Sequence, residues 1–272
     1  MQGREQGKEQ DRWNQYGARQ LRDIKENPDG HIIHVSPVGY LTAYEELVRL
    51  LGSLQDKKVL ELGCGLGDFS VSLAKQGAKV TAIDVGPDLI AAAKALAEVN
   101  HVDCDFRQGN ITVLPFERDA FDVVIGLSVL HHLSAADVLG TLQEVSRVLK
   151  TDGMAIFHEP VENSRLFAFL QNLFPVGDRG GGHGRPSILR RKAWRRYVET
   201  ADDRDMTNRE LSSAGKRYFR DVRLIPYGFL IRLERLIGWK HRGKLAAMDA
   251  FLFRVFPPLR HYSQTVLVAY RK

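Results

Sequence analysis

The sequence predicts an α/β protein built on a doubly wound, mostly parallel sheet. Apolar, strand-like segments alternate with helical segments between residues 58 and 158, which is typical of parallel strands joined by crossover helices. The first of these strands runs directly into a glycine-rich turn at residues 63–67. The second strand ends in an acid, Asp84. A glycine turn and an acid at the ends of consecutive strands are typical of sheets that bind a nucleoside.

The alternating part of the chain divides into eight elements. Their predicted bounds are strand 58–62, helix 67–76, strand 79–83, helix 87–99, strand 103–107, strand 121–126, helix 135–149 and strand 153–158. Ser134 followed by Asp137 predicts the N-cap of the last of these helices. Ligands of such sheets bind outside the carboxyl ends of the strands, so we expect the binding cleft at that edge.

Two helices are predicted before the first strand. Residues 1–25 form a polar segment with Trp13 and Tyr16 among its few anchors. Residues 42–51 carry apolar side chains at helical spacing, and Gly52 follows as a C-terminal stop.

The C-terminal part of the chain has a different pattern. Apolar residues over 167–174 predict a short helix, and five glycines follow between residues 177 and 186. Further on, the predicted elements are a helix at 208–215 begun by the capping box Thr207–Glu210, a strand at 220–225 and a strand at 264–270. The long connections at 161–200 and 226–262 carry their own apolar periodicity, so we expect them to form helical lid insertions.

These patterns predict three parts of the chain. They are an N-terminal helical segment over 1–52, a nucleoside-binding core over 53–160, and a C-terminal half over 161–272 that completes the sheet.

Composition limits the classes of protein that the sequence fits. The 272 residues can bury a sizeable core, and 44% apolar with 26% charged residues is ordinary for a globular protein. The two cysteines suggest no disulfide, and neither a secretory signal nor an apolar run of membrane-spanning length is apparent. The expected location is therefore cytoplasmic.

Charge is distributed unevenly along the chain. Residues 161–272 hold 23 Lys and Arg against 10 Asp and Glu, whereas residues 1–160 hold 16 against 23. A basic half beside an acidic half favours an anionic partner for the C-terminal part, and a solvated basic surface is the plain alternative.

The spacing of the glycines indicates which kind of nucleoside binds. A dinucleotide fingerprint is G-x-G-x-x-G, but here Gly63, Gly65 and Gly67 give G-x-G-x-G. Glu61 stands two residues before the first glycine, where it would repel a pyrophosphate and suit a cofactor that carries positive charge.

Residues 61–67 resemble motif I of the class I S-adenosylmethionine (SAM) dependent methyltransferases. The resemblance continues in order through roughly residues 55–160, and its further segments are Asp84, Gln108–Ile111, Phe121–Leu133 and Leu149–Phe157. It implies a Rossmann-like sheet whose last strand is antiparallel, with SAM as cofactor and S-adenosylhomocysteine as product. Asn110 stands where the family usually has Asp.

The resemblance also implies the residues that hold the cofactor. They are Tyr16, Glu61, Gly63, Cys64, Gly65, Gly67, Asp84, Val85, Asn110, Ile111, Leu127 and Ser128. In this family the acid at Asp84 holds the ribose hydroxyls, and an N-terminal segment such as that of Tyr16 closes over the methionine part. No metal ligand set is apparent, because Cys64 and Cys104 have no third ligand at metal spacing.

Four residues are candidates for catalysis because they follow the fourth and fifth strands of the core. They are His131, His132, His158 and Glu159. An imidazole has the pKa range that suits proton abstraction near neutral pH. Each histidine could instead cap a helix or pack under the cofactor.

The predicted function is methylation of a small or medium organic molecule, most simply at oxygen with a histidine base. The alternatives are methylation of carbon or nitrogen, including carbon methylation of an allylic diphosphate in which Glu159 stabilises a carbocation. A nucleic-acid methyltransferase is disfavoured because the fourth strand leads into Ser128-Val-Leu-His-His132 rather than an Asn/Asp-Pro-Pro-aromatic run. A non-catalytic SAM-binding subunit is also disfavoured, since the glycines and Asp84 are intact. The acceptor is expected to be anionic or apolar, peripheral membrane contact stays open, and the sequence does not define the oligomeric state.

Overall fold

The structure is a computed structural model. It describes residues 2–33, 44–164, 169, 173, 187–193, 195, 206–230 and 241–272. The glycine-rich run at 177–186 and most of the segment 161–200, including all of the predicted helix at 167–174 except residues 169 and 173, lie outside the described residues. No helix in the described part is both long and apolar enough to cross a membrane.

Within the described residues, seven strands form one sheet in the order β3-β2-β1-β4-β5-β7-β6. They are β1 (Lys58–Leu62), β2 (Lys79–Asp84), β3 (Cys104–Gln108), β4 (Phe121–Leu127), β5 (Leu149–Pro160), β6 (Asp221–Tyr227) and β7 (Thr265–Arg271). β1 to β5 pair in parallel, and β7 pairs antiparallel with both β5 and β6. The Rossmann-like sheet with an antiparallel last strand is confirmed.

Helices cover both faces of the sheet. They are α1 (Gln2–Glu26), α2 (Tyr44–Leu51), α3 (Asp68–Lys75), α4 (Pro87–Val99), α5 (Ala135–Val148), α6 (Asn208–Gly215) and α7 (Arg242–Val255), with 3₁₀ turns at Pro28–His31, Leu130–His132 and Pro257–Tyr262. The predicted N-caps are confirmed, since the Ser134 hydroxyl accepts from the Asp137 N–H and the Thr207 hydroxyl from the Glu210 N–H.

Alternate side chains of the buried strands point to opposite faces and divide the core into two layers. In β4, Val123 and Ile125 belong to the layer beneath α3 and α4, and Val124 belongs to the layer beneath α5. Continuously apolar strands of this kind are typical of parallel sheets with helices on both faces.

The fifth strand differs from its predicted bounds of 153–158. It begins four residues earlier, because Leu149 pairs with Phe121 before the register shifts to the Val123–Met154 pair. Local apolar pattern did not reveal this start, since Lys150, Thr151 and Asp152 are polar.

Both long connections of the C-terminal half begin at the edge where the parallel strands end. β5 ends there at Pro160, and β6 ends there at Tyr227 because it runs parallel to β5 through their shared neighbour β7. The first connection also returns to this edge, where the Glu162 N–H donates to the Met206 carbonyl at 2.9 Å. The described part of the second connection is helical.

The N-terminal helix packs on α4 at a close crossing around Gly17. A β-carbon at Gly17 would lie 2.7 Å from the backbone of Asp88 and Leu89. We expect Gly17→Ala to lower the free energy of unfolding by about 1–3 kcal/mol, because two backbones would have to separate. Gly140 of α5 is the matched control, since a β-carbon there meets nothing within 4 Å. Gly140→Ala should raise stability by about 0.5–1 kcal/mol. Equal effects of the two substitutions in urea unfolding would contradict the close crossing.

Candidate active site

The glycine turn between β1 and α3 exposes bare backbone at the carboxyl edge of the sheet. Gly63, Gly65 and Gly67 all adopt left-handed backbone angles, with φ of 68°, 52° and 83°. A β-carbon at Gly63 would lie 2.6 Å from the Val129 side chain, whereas a β-carbon at Gly65 would meet nothing within 4 Å. Gly63 therefore allows the turn after β4 to approach, and Gly65 leaves open space in which a ligand can contact the backbone.

Asp84 ties the glycine turn to the end of β2. Its carboxylate accepts the Gly65 N–H and the Gly86 N–H, each at 2.9 Å, one on each oxygen. The side chain is buried, and burial raises its pKa despite these two bonds. The Val85 N–H also bonds to this carboxylate, and since a carboxylate has about four lone-pair directions, some acceptor capacity remains for a ligand hydroxyl.

Glu61 lies beneath the turn, with 3% of its surface exposed. Its carboxylate accepts a hydrogen bond from the Ser70 hydroxyl, and burial raises the pKa of Glu61 to about 8. The charges of Asp68 and Asp84 act in the same direction. A nearby positive charge would favour the ionised form of Glu61.

The raised pKa of Glu61 predicts a pH-dependent stability. In the ligand-free protein this group binds a proton in the folded state that the unfolded chain releases near pH 4.5. The contribution of this bound proton to the free energy of unfolding is fully present below about pH 4.5 and is lost as the pH rises through about 8. The free energy of unfolding of Glu61→Gln should therefore rise relative to that of the unsubstituted protein by about 1 kcal/mol per pH unit across this range. Thermal unfolding between these pH values measures it, and parallel stability curves would contradict it.

The ends of β3 and β4 supply the remaining residues that the resemblance implied. The Asn110 side-chain oxygen accepts from the Thr112 N–H and hydroxyl, each at 2.9 Å, and Ile111 is buried behind it. Val85 is exposed beside Asp84. Leu127 is half-buried, and Ser128 is exposed with a left-handed φ of 55°. These side chains lie at the same edge as the glycine turn.

Tyr16 lies on α1, near the start of α3. Its pKa is raised mainly by burial and further by the Asp68 carboxylate, which places the two side chains near each other. Two residues earlier, Asn14 lies beside Gly86, since a β-carbon on that glycine would be 3.1 Å from the Asn14 side-chain oxygen. α1 therefore crosses from the start of α4 toward the glycine turn.

Neither cysteine is a nucleophile in this structure. Cys64 is buried inside the glycine turn, and its burial raises the pKa of its thiol well above the usual range. Burial raises the pKa of Cys104 to about 12. A thiol protonated at neutral pH is unreactive.

Glu159 is fully buried and holds the turn that follows β4. One of its carboxylate oxygens accepts the N–H groups of Val129 and Leu130 at 3.0 and 2.9 Å. The other lies 3.4 Å from the His131 N–H and 2.8 Å from its ring Nδ1. Its hydrogen bonds thus go to this turn, and the structure gives Glu159 the position of a residue that orients others.

The two adjacent histidines have different surroundings. His131 is buried against Glu159, and the half-buried His132 ring lies against it with centroids 4.1 Å apart and planes inclined by 38°. His132 lies within electrostatic reach of Asp84, whose pKa its charge lowers slightly against the larger effect of burial. His158 is buried at the end of β5, where its carbonyl accepts the Ser128 N–H at 2.7 Å.

Sequence reasoning missed two contributors to this site. Val129 fills the space left by Gly63 and Gly126, and Asp68 lies within electrostatic reach of Tyr16 and Glu61. The glycine at position 126 was the available signal for Val129, because a glycine inside a buried strand indicates close approach of another group.

The residues present fit SAM. Open space at the Gly65 backbone suits a ligand in contact with the turn, Asp84 has acceptor capacity for a ribose diol, and Glu61 suits a cation. Residues 59–153 match a family described as "Methyltransferase domain".

Curated relatives agree with this match. A ubiquinone biosynthesis O-methyltransferase of Azotobacter vinelandii is 36% identical over 141 residues, covering 49% of this chain and 58% of that protein. A demethylmenaquinone methyltransferase of Lactococcus lactis is 32% identical over 139 residues, covering 47% and 54%. The chain spans about half, or less, of the length of the curated relatives it matches.

A solved structure shares the fold. It is phosphoethanolamine N-methyltransferase 2 of Haemonchus contortus in complex with SAM, with a TM-score of 0.58, 16% identity, and coverage of 88% of this chain and 54% of that one. The glycine turn and the sheet topology agree with this match: residues 59–153 resemble a methyltransferase domain, and the sheet has the fold of the class I SAM-dependent methyltransferases.

Proposed function

We propose that the protein methylates a small or medium organic acceptor at oxygen, with His132 as the general base. The observation that carries this proposal is the arrangement of Glu159, His131 and His132 beside Asp84. Among the four catalytic candidates His132 is the most exposed, and it lies toward the ribose-binding acid. When bound, SAM supplies an electrophilic methyl group.

The chain's own residues would bind the cofactor and hold the acceptor's proton. Asp84 accepts from the ribose hydroxyls, the ionised form of Glu61 balances cofactor charge, and the Gly65 backbone contacts the ligand directly. Tyr16 closes the methionine side, and Asn110 with Ile111 lines the adenine side. His132 removes the acceptor's hydroxyl proton as the new bond forms, which requires a neutral imidazole facing the cleft.

His131 and Glu159 act on the reaction through His132. With Glu159 ionised, the His131 Nδ1 carries the proton and donates a hydrogen bond to the carboxylate. This fixes one tautomer and orientation of the ring on which His132 rests, so His132 keeps its position in the cleft. Catalysis in the methyl-transfer step then rests mainly on positioning and exclusion of water.

The C-terminal connections are proposed to form the lid. Their described ends begin and return at the carboxyl edge of the sheet, the same edge that carries the glycine turn. Both curated relatives carry names that refer to quinones or their biosynthesis. We infer an acceptor with a substantial apolar part, which a lid of apolar helices would cover.

Carbon methylation of an allylic diphosphate is the weaker alternative for this site. It needs a carboxylate facing the cleft to stabilise a carbocation, but the Glu159 oxygens accept from the turn at 129–131.

A screen with methyl-labelled SAM distinguishes these reactions. The panel holds phenols with and without alkyl tails, amines, and prenyl diphosphates. Labelled methyl ethers from the tailed phenols are the expected product. Label found only on carbon of the prenyl diphosphates, or only on amines, would contradict O-methylation while leaving the methyltransferase assignment intact.

A further inference from the structure

The outer side of α7 exposes a row of large apolar side chains. Met248, Phe251, Val255 and Phe256 are 54%, 65%, 54% and 62% exposed. The first three recur at spacings of three and four residues, so they lie on one stripe of the helix. Its opposite side is already packed, since Phe253 is buried. This apolar stripe is therefore additional to the face that holds α7 on the protein.

Positive charge surrounds the stripe. Lys244 lies at its N-terminal end on the same side of the helix, Arg254 lies along its flank, and Arg260 follows in the next turn; all three are exposed. No ion pair involves these three side chains within the part of the chain that the structure describes. The sole acid in the sequence from 241 to 262, Asp249, is buried and accepts the N–H groups of Phe229 and Leu230 at 3.0 and 2.6 Å.

We propose that α7 docks the protein on the surface of an anionic phospholipid bilayer. Exposed Phe, Met and Val side chains on one side of a helix partition into the headgroup boundary, and Lys and Arg beside them bind anionic headgroups. A second copy of this chain fits the surface less well, because a twofold contact would bring the Lys244 and Arg254 charges of both copies together. The stripe follows the carboxyl end of β6, so docking would bring the cleft edge of the sheet close to the bilayer.

Vesicle co-sedimentation with the full chain tests this proposal. Vesicles of phosphatidylcholine alone are compared with vesicles containing about 30% phosphatidylglycerol, at low and high salt. Binding is expected to the anionic vesicles at low salt, with a large loss at high salt and weak binding to neutral vesicles. Absence of binding to anionic vesicles at low salt, or equal binding to both kinds, overturns the proposal.

Two double variants separate the apolar and the charged contributions. Phe251→Ser with Phe256→Ser removes exposed rings, and Lys244→Glu with Arg254→Glu reverses two charges. The charge variant should bind anionic vesicles at least tenfold more weakly, since each cation contributes about fivefold. Its matched control, Lys216→Glu with Arg217→Glu, changes the net charge of the protein by the same amount. These two residues are exposed and precede the start of β6, at the edge of the sheet opposite the cleft, so the control should retain most binding. Val113→Ser is the control for an isolated exposed apolar residue.

The remaining outcomes also decide the proposal. All substituted residues are exposed, so the thermal unfolding midpoints of the variants should stay within a few degrees of that of the unsubstituted protein. If the serine variant does not fold, the charge variant still tests the proposal. Binding that is equal in the charge variant and in its control overturns the proposal. The protein could instead have twice the chain mass in solution, and this mass could fall to that of one chain with Phe251→Ser and Phe256→Ser. That result would assign the stripe to a dimer interface and would also overturn the proposal.

Discussion

Replacing His132 by alanine is expected to slow methyl transfer by about 10²–10⁴-fold while SAM affinity stays within a few fold. Asp84 holds the glycine turn through the Gly65 N–H, whereas the role proposed for His132 is proton abstraction, so its loss should leave most of the cofactor site in place. Turnover and SAM affinity are measured on the same preparations, and the rate is followed against pH. The unsubstituted enzyme should lose activity as the pH falls through the pKa of its base, and the variant should lack that limb.

An exposed histidine elsewhere provides the control for this substitution. His101 follows α4 with a left-handed φ of 53°, which asparagine tolerates, so His101→Asn should turn over normally. Normal turnover in His132→Ala would show that His132 is not the base. Equal losses of turnover and SAM affinity would assign it to cofactor binding.

Replacing Glu159 by alanine is expected to lower the free energy of unfolding by about 3–5 kcal/mol. The substitution leaves the N–H groups of Val129 and Leu130 and the His131 ring without their acceptor in a place that water does not reach. Urea unfolding measures the loss, with the exposed Glu98→Ala as control. Stability within about 0.5 kcal/mol of the unsubstituted protein would contradict the role of Glu159 in holding the turn.

Glu159→Gln separates the structural role from the catalytic one. The amide retains one oxygen for the N–H groups of Val129 and Leu130, so most stability should remain. Its nitrogen can donate but not accept, so a contact with His131 Nδ1 would favour the other tautomer of that ring. We expect turnover to fall about tenfold or more with SAM affinity preserved, because the ring supporting His132 loses its orientation. Unchanged turnover would remove His131 and Glu159 from the catalytic account.

Local signals in the sequence predicted most of the sheet and its cofactor edge. The strand before Gly63, the acid at Asp84 and the caps at Ser134 and Thr207 each depend on residues within a few positions of one another. Local sequence pattern is the information that a single chain carries most directly, so these elements agreed with prediction within a few residues.

Features that depend on distant pairing were outside the reach of the sequence. Glu159 and the turn at 129–131 lie about 30 positions apart, so no local pattern distinguished a turn-holding carboxylate from a cleft-facing base. The early start of β5 depends on pairing with Phe121, and the close crossing at Gly17 depends on Asp88. These partners are also far apart in sequence, so neither feature could be predicted from a local pattern. The choice of His132 as the proposed base likewise rests on its greater exposure and on its contact with the buried His131 ring, which the sequence does not show.

The central claim is that the glycine turn and Asp84 form a SAM site, and calorimetric titration of SAM into the purified protein tests it most directly. We expect one SAM bound per chain, and affinity at least tenfold weaker in Asp84→Ala, because each lost hydrogen bond to a charged acceptor is worth about 1.5–3 kcal/mol. The exposed Asp105→Ala on β3 should bind as the unsubstituted protein does. Unchanged SAM affinity in Asp84→Ala, or no SAM binding by the unsubstituted protein, would contradict the account.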